Sequence, residues 1–321
     1  MKDLSIIVPI YNVEKYVFKC LNSLYNQGLV EDCFEVIIVN DGTKDGSMDV
    51  VSEFAKWHSN IIIINQENRG LSIARNNGLS HAAGRYIMFV DSDDFIVEGC
   101  LPILLSKAIE HSADMLIADF IKMTDEEIER SVPDGNDKRF AENVMIGREA
   151  FVKFLNPVQC YIWRIIYSRD FLYKNRITFI PNIYFEDIPF TIDCFLKVNK
   201  SVVFLLPFYI YRQHHNSIVS TINKKKLLDF NRILSHLWAL LKTEVLSKDD
   251  YEKLMNTIFL TFSIEMWYLS HDKSVFPYRR EIVKDLKEKV PDLYFCGGVK
   301  QRLISIIFRW QPYAYLRIRS L

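Results

Sequence analysis

One stretch of the chain decides its fold class: RYIMFVDSDDF, residues Arg85–Phe95. Its first half is a short run of aromatic and branched side chains, the pattern of a strand that is buried on both faces. Its second half places three carboxylates, Asp91, Asp93 and Asp94, where that strand must end. Carboxylates this close repel one another and raise each other's pKa. A divalent cation such as Mg²⁺ or Mn²⁺ relieves the repulsion by taking their oxygens as ligands. The alternative for this stretch alone is a solvated acidic turn that caps the next helix.

Three more apolar runs of strand length precede this stretch, at residues 4–10, 34–39 and 61–64, and helical patterns lie between them. Strands that alternate with helices predict an α/β fold with a mostly parallel sheet flanked by helices. In such sheets, ligands bind beyond the carboxyl ends of the strands. The sequence therefore predicts a ligand site at one edge of the sheet.

Several side chains suited to a nucleotide follow these strand ends. Tyr11 offers a ring for stacking, Asp41 a carboxylate for a base or ribose, and Arg75 a guanidinium for phosphate. Together with Asp91 and Asp93 they suit a nucleoside diphosphate with its cation. The sequence has no Gly-x-Gly-x-x-Gly after the first strand and no Gly-Lys-Ser/Thr phosphate loop, which argues against the dinucleotide-binding and P-loop classes.

Composition indicates the cellular setting and limits the partners. The 321 residues include 40 Lys+Arg and 40 Asp+Glu, a balance that argues against nucleic acid as a partner. The six cysteines have no metal-binding or redox spacing, which indicates free thiols in a reducing compartment. The N-terminus enters a strand with no signal-peptide pattern, and no apolar run approaches the roughly 20 residues of a membrane helix. We therefore expect a cytoplasmic protein.

Four motifs near the N-terminus resemble, in wording and order, those of the family 2 glycosyltransferases, inverting enzymes of the GT-A fold that use nucleotide-activated sugars. The motifs are SIIVPIYN at 5–12, VNDGTKDGS at 39–47, NRGLSIARN at 68–76 and DSDD at 91–94. The resemblance implies a Rossmann-like GT-A sheet, a nucleotide-diphosphate-sugar donor, with UDP as the expected nucleotide, and Mn²⁺ or Mg²⁺ as cofactor.

The resemblance also implies roles for residues within these motifs. Pro9 and Tyr11 line the nucleobase pocket, with Tyr11 stacked on the ring, and Asp41 accepts a hydrogen bond from the base. Arg75 lies near the diphosphate or the base. The other donor-binding assignments are Asn12, Asn68, Gly70 and Ser92.

Under the same resemblance, the acids of the DSDD motif have different roles. Asp91 contacts ribose and sugar hydroxyls, and Asp93 binds the metal ion. Asp94 is either a further member of the cluster or the cap of the next helix. His214 is a second candidate metal ligand, because GT-A enzymes often add a histidine after their second acid site. An ordinary histidine in an exposed loop is the alternative.

A second acid site lies in IYFEDIPF, residues 183–190, where an acid pair inside an aromatic segment precedes a helix. By resemblance, Asp187 is the general base and Glu186 supports it. Inversion at the anomeric carbon needs a carboxylate that deprotonates the acceptor hydroxyl while it attacks from the face opposite the leaving nucleotide. The alternative is an acid pair that is favoured at a helix N-terminus by the helix dipole.

Three further assignments come from segments outside these motifs. Arg212 and Ser217 have the spacing of an Arg and a Ser that close over the diphosphate in some family members. Trp163 precedes a basic residue, as does a tryptophan beside the acceptor in the family. It is therefore either a wall of the acceptor site or a core residue.

We predict a catalytic domain at 1–222, with a nucleotide-binding half at 1–95 and an acceptor half at 96–222, followed by a helical region at 223–321. The last stretch, 299–321, has basic residues and no acid, interleaved with apolar and aromatic side chains. That composition suits a helix in a membrane interface, here the inner face of the membrane. The alternative is a helix docked on the core with a basic outer face.

The sequence as a whole predicts a metal-dependent inverting glycosyltransferase. It would move a sugar from a nucleotide-diphosphate donor to a hydroxyl of a growing surface glycan, which is either free or lipid-linked. A sugar nucleotidyltransferase is one alternative, but that class usually has a Gly-rich basic loop where this chain has Pro9–Asn12. A non-catalytic nucleotide-sugar or glycan-binding protein of the same fold is the other, and the presence of both acid sites argues against it.

Overall fold

The computed structural model describes residues 2–131, 141–157, 159–214 and 221–319. By packing, the chain divides into two compact units. Unit 1 contains Met1–Ala150, Tyr161–Asn182 and Asp193–Ser217, and unit 2 contains Phe151–Cys160, Ile183–Ile192 and Ile218–Leu321. This division groups two earlier segments with the C-terminal helices. The domain boundary after residue 222 stays a prediction.

Unit 1 is built on a sheet of nine strands among the described residues. The strands are β1 (Leu4–Ile10), β2 (Phe34–Asp41), β3 (Ile61–Gln66), β4 (Tyr86–Phe89), β5 (Phe95–Ile96), β6 (Met115–Thr124), β7 (Glu142–Ile146), β8 (Ile165–Ser168) and β9 (Lys200–Gln213). Their order across the sheet is β3-β2-β1-β4-β8-β6-β9-β5, and β7 pairs with β9.

The directions of the strands make the sheet mixed. β2 is parallel to β3, and β1 is parallel to β2 and to β4. β8 is antiparallel to β4 and β6, and β5 and β7 are antiparallel to β9. The predicted α/β class is confirmed, with a mixed rather than a mostly parallel sheet. The difference lies in the short strands β5, β7 and β8, because sequences of 2, 5 and 4 residues carry no sign of the strand's direction.

Thirteen α-helices occur in the described part of the chain. They are α1 (Glu14–Tyr25), α2 (Ser47–Ala55), α3 (Leu71–His81), α4 (Cys100–His111), α5 (Asp125–Arg130), α6 (Glu149–Phe154), α7 (Arg169–Lys174), α8 (Asp187–Lys197), α9 (Lys224–Thr243), α10 (Lys248–His271), α11 (Arg279–Lys289), α12 (Val299–Trp310) and α13 (Pro312–Arg319). None of them is long and apolar enough to cross a membrane.

The core of unit 1 positions the helix that carries Arg75. All seven residues of β1 are buried, as its apolar sequence predicts. Helix α3 packs directly on this strand at Gly78, where an added Cβ would lie only 2.5 Å from Ile7 Cγ2. This close approach brings Arg75, one turn earlier on α3, against the sheet, where it is 3% exposed.

Unit 2 has an aromatic core between its last helices. Phe262 of α10 contacts the rings of Phe295, Phe308 and Tyr315, with centroids 5.1, 4.9 and 6.2 Å apart. These contacts attach α12 and α13 to α10 within the unit. The predicted helical character of the C-terminal region is confirmed.

Candidate donor and metal site

Three strand ends meet at one edge of the sheet. Because β1 is parallel to both β2 and β4, their carboxyl ends lie side by side. Tyr11 follows β1 and is 43% exposed, Asp41 ends β2, and Asp91 comes shortly after β4. Pro9 is buried within β1, opposite Val39. The structure thus brings these side chains to the edge of the sheet that the sequence predicts.

Asn12 joins the turn after β1 to the turn after β2. Its φ of 53° is in the left-handed region, which asparagine tolerates better than most residues. Its backbone N–H donates to Thr43 Oγ1 at 2.7 Å, and its side-chain oxygen accepts from the N–H of Lys44 at 3.1 Å. Asn12 therefore braces the two turns, and its contact with the donor stays a prediction.

Asp45 is the centre of the second turn. Its carboxylate accepts hydrogen bonds from the N–H of Glu14 at 3.0 Å and from the hydroxyls of Thr43 and Ser47 at 2.9 and 2.5 Å. Partial burial raises the pKa of Asp45, but the hydrogen bonds from Ser47, Glu14 and Thr43 outweigh it and hold that pKa at about 2. Because Glu14 begins α1 and Ser47 begins α2, this one carboxylate fixes the starts of both helices.

We expect Asp45→Asn to remove a pH-dependent part of the stability. The folded pKa of Asp45, about 2, is lower than the value of about 3.9 for an unfolded chain. The ionised carboxylate therefore stabilises the fold above about pH 4, and this stability is lost as the pH falls towards 2. Because the side chain is partly exposed, we expect this pH-dependent part of the unfolding free energy to be about 1–2 kcal/mol. Urea unfolding between pH 6 and pH 3 measures it. The assignment would be contradicted if the unfolding free energies of the wild type and Asp45→Asn changed equally with pH. For Ser47→Ala, which removes one of the hydrogen bonds, we expect a pH dependence between those of the wild type and Asp45→Asn.

Asp41 holds the loop that leads into α3. Its carboxylate accepts hydrogen bonds from the Gln66 side chain at 2.7 Å and from the N–H groups of Arg69 and Gly70 at 2.8 and 2.9 Å. Gly70, with φ +85°, directly precedes α3 in a backbone conformation that residues other than glycine rarely adopt. Asn68, in the same loop, is exposed. Asp41 is thus a fixed acceptor at the site, and the base contact of Asp41 stays a prediction.

Arg75 and Asp91 pair with each other. The Arg75 guanidinium donates a hydrogen bond of 2.5 Å to Asp91 Oδ1, and its central carbon lies 5.6 Å from the centroid of the Phe179 ring. Burial raises the pKa of Asp91, and the positive charge of Arg75 opposes this rise. The pair fixes the first acid of the DSDD motif beside α3. The contacts of Asp91 with sugar hydroxyls and of Arg75 with the diphosphate stay predictions.

Asp94 connects the acidic turn to β9. It is 2% exposed and accepts hydrogen bonds of 2.8 Å from the Tyr209 hydroxyl and from the N–H of Arg212. The Arg212 guanidinium in turn donates to the Asp93 carbonyl at 2.8 Å and pairs with Asp125. Burial and then the neighbouring acids raise the pKa of Asp94 well above its usual value. Asp94 therefore acts as a structural acceptor in the described chain, and the closure of Arg212 over the diphosphate stays a prediction.

We expect Asp94→Ala to lower both stability and nucleotide binding. The substitution leaves two buried donors, on Tyr209 and Arg212, without their acceptor. That loss costs about 2–4 kcal/mol of unfolding free energy. It also frees the turn that carries Asp93, the predicted metal ligand. Urea unfolding and calorimetric titration with UDP and Mn²⁺ measure the two effects.

Asp114→Ala is the matched control for Asp94→Ala. Asp114 also accepts two hydrogen bonds, from the N–H groups of Asn199 and Lys200 at 2.8 and 3.0 Å, but it lies before β6 and outside the DSDD turn. This variant should lose stability and keep its nucleotide affinity. An equal loss of affinity in both variants would mean that Asp94 acts only through global stability.

Asp93 and His214 form the part of the site that suits a metal ion. His214 Nε2 lies 3.0 Å from Asp93 Oδ2, and the imidazole stacks on Tyr16 with ring centroids 5.0 Å apart. The hydrogen bond to Asp93 raises the pKa of His214. Within the described chain, the buried Nδ1 of His214 has no hydrogen-bond partner.

The chemistry of this donor set fits Mn²⁺ or Mg²⁺. Carboxylate oxygens are preferred ligands of both ions, and imidazole suits many transition metals. The described ranges contain no group of three or more His, Cys, Asp or Glu side chains that could hold a metal ion by themselves. Ions of this class commonly take their remaining ligands from substrate phosphates and water. Asp93 and His214 are therefore a fitting but incomplete ligand set.

Three other predicted residues have different surroundings. Ser92 is buried in the DSDD turn. Trp163 is 4% exposed and stacks on Tyr161 and Tyr209, with ring centroids 4.7 and 4.2 Å apart. This is the packing of a core tryptophan, and the acceptor contact of Trp163 stays a prediction. Ser217 lies outside the described residues.

In unit 2, the segment 184–187 with the second acid pair is attached to α9. The N–H of Tyr184 donates to Asp229 Oδ2 at 3.0 Å, and Phe185 stacks on Phe230 with centroids 4.6 Å apart. Phe185 has a φ of 59°, a rare conformation for a bulky residue, which these contacts hold in place. Helix α9 therefore sets the position of the acid pair within unit 2.

The two acids of this pair differ in exposure. Glu186 is 6% exposed, whereas Asp187 begins α8 and is partly exposed. Burial, and after it the negative charge of Asp187, raises the pKa of the Cys160 thiol well above its usual value. The difference in exposure favours Asp187 over Glu186 as the acid that reaches a ligand.

The sequence patterns do not single out three residues of the site: Tyr16, Asp125 and Tyr209. Tyr209 donates to Asp94 across 115 positions of the chain, and Asp125 pairs with Arg212 across 87. For Tyr209, the only signal in the sequence is the alternation of aromatic side chains in β9. Such an alternation indicates that one face of a strand is buried and does not indicate a functional role. No local signal marks the other two residues.

Comparison with known proteins adds independent evidence. The model of glycosyl transferase family 2 matches residues 5–176, which begin at the second residue of β1 and include β2 to β8 and the DSDD turn. The chain is 33% identical over 215 residues to the uncharacterized glycosyltransferase EpsJ of Bacillus subtilis, covering 67% of this chain and 62% of EpsJ. It is 29% identical over 311 residues to the uncharacterized glycosyltransferase YibD of Escherichia coli, covering 94% of this chain and 87% of YibD.

The third relative is the poly(ribitol-phosphate) beta-N-acetylglucosaminyltransferase TarS of Staphylococcus aureus. It is 30% identical over 212 residues, covering 66% of this chain and 35% of TarS. Crystal structures of TarS 1–349 in complex with UDP and with UDP-GlcNAc superpose with TM-scores of 0.72 and 0.71 at 23% identity, covering 100% of this chain and 88% of that one. This likeness confirms the predicted GT-A fold. Since the family match also spans more than half of the sequence, the chain belongs to glycosyl transferase family 2.

Proposed function

We propose that the chain is a metal-dependent inverting glycosyltransferase. It moves a hexosyl or N-acetylhexosaminyl group from a UDP-sugar to a hydroxyl of a growing surface glycan of the capsule, lipopolysaccharide or exopolysaccharide type. The observation that carries the proposal is the turn after β4, where Asp93 lies 3.0 Å from His214 and Asp91 is paired with Arg75. This arrangement combines oxygen and nitrogen ligands with a fixed cation, as a bound diphosphate and its metal ion require.

The nucleobase would bind at the ends of β1 and β2. Tyr11 is exposed enough for its ring to stack on a base. Asp41 already accepts three hydrogen bonds, but an ionised carboxylate has about four acceptor positions, so it can still accept one from a base N–H. Uracil offers such an N–H. The UDP complex of TarS supports UDP as the nucleotide.

The diphosphate would bind beside the DSDD turn. Asp93 and His214 would hold a Mn²⁺ or Mg²⁺ ion there together with phosphate oxygens of the donor. The ion supplies positive charge that stabilises the leaving nucleoside diphosphate. Arg75 is held in place by Asp91 and adds a second, permanent positive charge near the same turn.

The reaction needs a base for the acceptor hydroxyl, and we assign this role to Asp187. As the acceptor oxygen bonds to the anomeric carbon, the bond from that carbon to the diphosphate oxygen breaks, and the hydroxyl proton passes to the Asp187 carboxylate. Asp187 lies beyond the range of the family match, so its assignment rests on the resemblance of its motif and on its partial exposure. The name of TarS, which acts on poly(ribitol-phosphate), supports a polymeric acceptor.

A thermal-shift screen tests the donor half of the proposal. The melting temperature of the full chain is measured with a panel of nucleotide sugars, in Mn²⁺ and in EDTA. A ligand that binds only the folded state raises this temperature, so we expect UDP-sugars to raise it in Mn²⁺ and much less in EDTA. A response to another nucleotide alone would overturn the choice of UDP. No response to any nucleotide sugar would overturn the donor site.

A further inference from the structure

The outward face of α12 is an apolar stripe. Val299, Leu303, Ile306 and Trp310 are 76%, 53%, 48% and 73% exposed. At 3.6 residues per turn, these four positions fall within an arc of about 60°. The stripe, defined as these four side chains, therefore runs along the whole helix.

The opposite face attaches α12 to unit 2. Ser305 is buried and its hydroxyl oxygen accepts a 2.7 Å hydrogen bond from the N–H of Phe295. Phe308 is 4% exposed and packs edge-on against Phe262, with centroids 4.9 Å apart. The helix is thus docked through the face that carries Ser305 and Phe308, and this packing leaves the stripe exposed on the opposite face.

Basic side chains border the stripe on both sides. Arg302 and Arg309 follow one edge of it and Lys300 lies on the other edge, and all three are exposed. The sequence from 299 to 319 contains no Asp or Glu. The sequence left open a docked helix with a basic outer face. The helix is docked, but its outer face is apolar with basic edges.

We propose that the stripe binds the surface of an anionic lipid bilayer. Apolar side chains that lie between cations can enter the acyl boundary while the cations meet lipid phosphates, and tryptophan favours the headgroup level. Tyr313, at the start of α13, is 45% exposed and extends the aromatic surface. Contiguous exposed apolar patches of this kind usually mark an interaction site. Self-association through the same face would bring the arginines of two copies together, which like-charge repulsion disfavours.

Sedimentation of the full chain with vesicles tests the proposal. We expect binding to phosphatidylglycerol vesicles, weaker binding at high salt, and little binding to phosphatidylcholine vesicles. The triple variant Leu303→Ser, Ile306→Ser, Trp310→Ser should lose at least about tenfold in affinity. The matched control is Trp57→Ser, because Trp57 is 83% exposed but lies in unit 1, and it should bind as the wild type does.

Two further measurements keep the test decisive. If the triple variant loses its helical circular dichroism, the double variant Arg302→Glu, Arg309→Glu takes its place. This double variant should also lose at least about tenfold in affinity for anionic vesicles. The proposal is overturned if the wild type does not bind anionic vesicles, if it binds both lipids equally, or if the variants still bind. It is also overturned if sedimentation equilibrium shows a dimer that the triple variant abolishes, since the stripe would then be a contact between copies.

Discussion

Asp187→Asn is expected to slow sugar transfer by about 10²- to 10⁴-fold, the usual contribution of a general base. Asparagine keeps the size of the first residue of α8 but cannot take the proton of the acceptor hydroxyl. The donor does not need this carboxylate in order to bind, so its affinity should stay within about twofold. Initial rates at saturating donor and calorimetric titration with UDP measure the two quantities. The limb of the pH–rate profile that reports the base should also disappear.

Asp49→Asn is the matched control for this prediction. Asp49 is an exposed acid in the first turn of α2 with no predicted role in transfer. An acid that only interacts with a helix dipole contributes about 0.3–1 kcal/mol to stability and nothing to the chemical step. If Asp187→Asn behaves like this control, or loses donor affinity with an unchanged rate, Asp187 is not the base.

Asp93→Ala is expected to weaken UDP binding in the presence of Mn²⁺ by at least about tenfold. The variant removes the carboxylate that lies 3.0 Å from His214 Nε2, leaving the imidazole as the remaining protein ligand of the proposed pair. In EDTA the wild type and the variant should bind UDP with similar affinity, because the metal ion that Asp93 would hold is then absent from both. Calorimetric titrations in the two buffers measure the difference.

A histidine variant tests the second ligand in the same titrations. His214→Ala should also weaken the binding that depends on Mn²⁺. His111→Ala is its control, because His111 Nε2 also lies against a carboxylate, 2.5 Å from Glu142 Oε1, and has no predicted role. An unchanged affinity of Asp93→Ala in Mn²⁺ would contradict its assignment as a metal ligand.

The fold class and the edge of the sheet with the donor residues are predictable because their signals are local. A buried strand is visible as an apolar run, as in β1, and the acids of the DSDD motif follow β4 directly in the sequence. The direction of short strands is not visible in this way. β8 has 4 residues and runs antiparallel to both of its neighbours, which its sequence does not reveal.

The internal contacts of the site are not predictable from local patterns. Arg75 pairs with Asp91, and Asp94 is bound by Tyr209, so side chains that look suited to a ligand already have partners within the chain. The contact of Asp94 with Tyr209 depends on a long-range pairing, because β9 pairs with β5, the strand that directly follows the DSDD turn. The core packing of Trp163 follows from the same arrangement, since it stacks on Tyr209.

The C-terminal helix shows a similar limit. Composition identifies a basic, apolar segment at 299–321, but it does not say which face of a helix is docked. The burial of Ser305 and Phe308 decides this and leaves Trp310 on the outside. The packing thus replaces the alternative of a docked helix with a basic outer face by a docked helix whose outer face is apolar with basic edges.

One measurement tests most directly whether the chain is a transferase. Release of UDP and formation of a glycosylated product are followed with purified wild type and Asp187→Asn, across a panel of nucleotide sugars in Mn²⁺. We predict turnover of a UDP-sugar by the wild type that requires the metal ion, and loss of this turnover in the variant while UDP still binds. Binding of UDP by the wild type without hydrolysis or transfer of any nucleotide sugar would contradict catalysis and indicate a binding protein of the same fold.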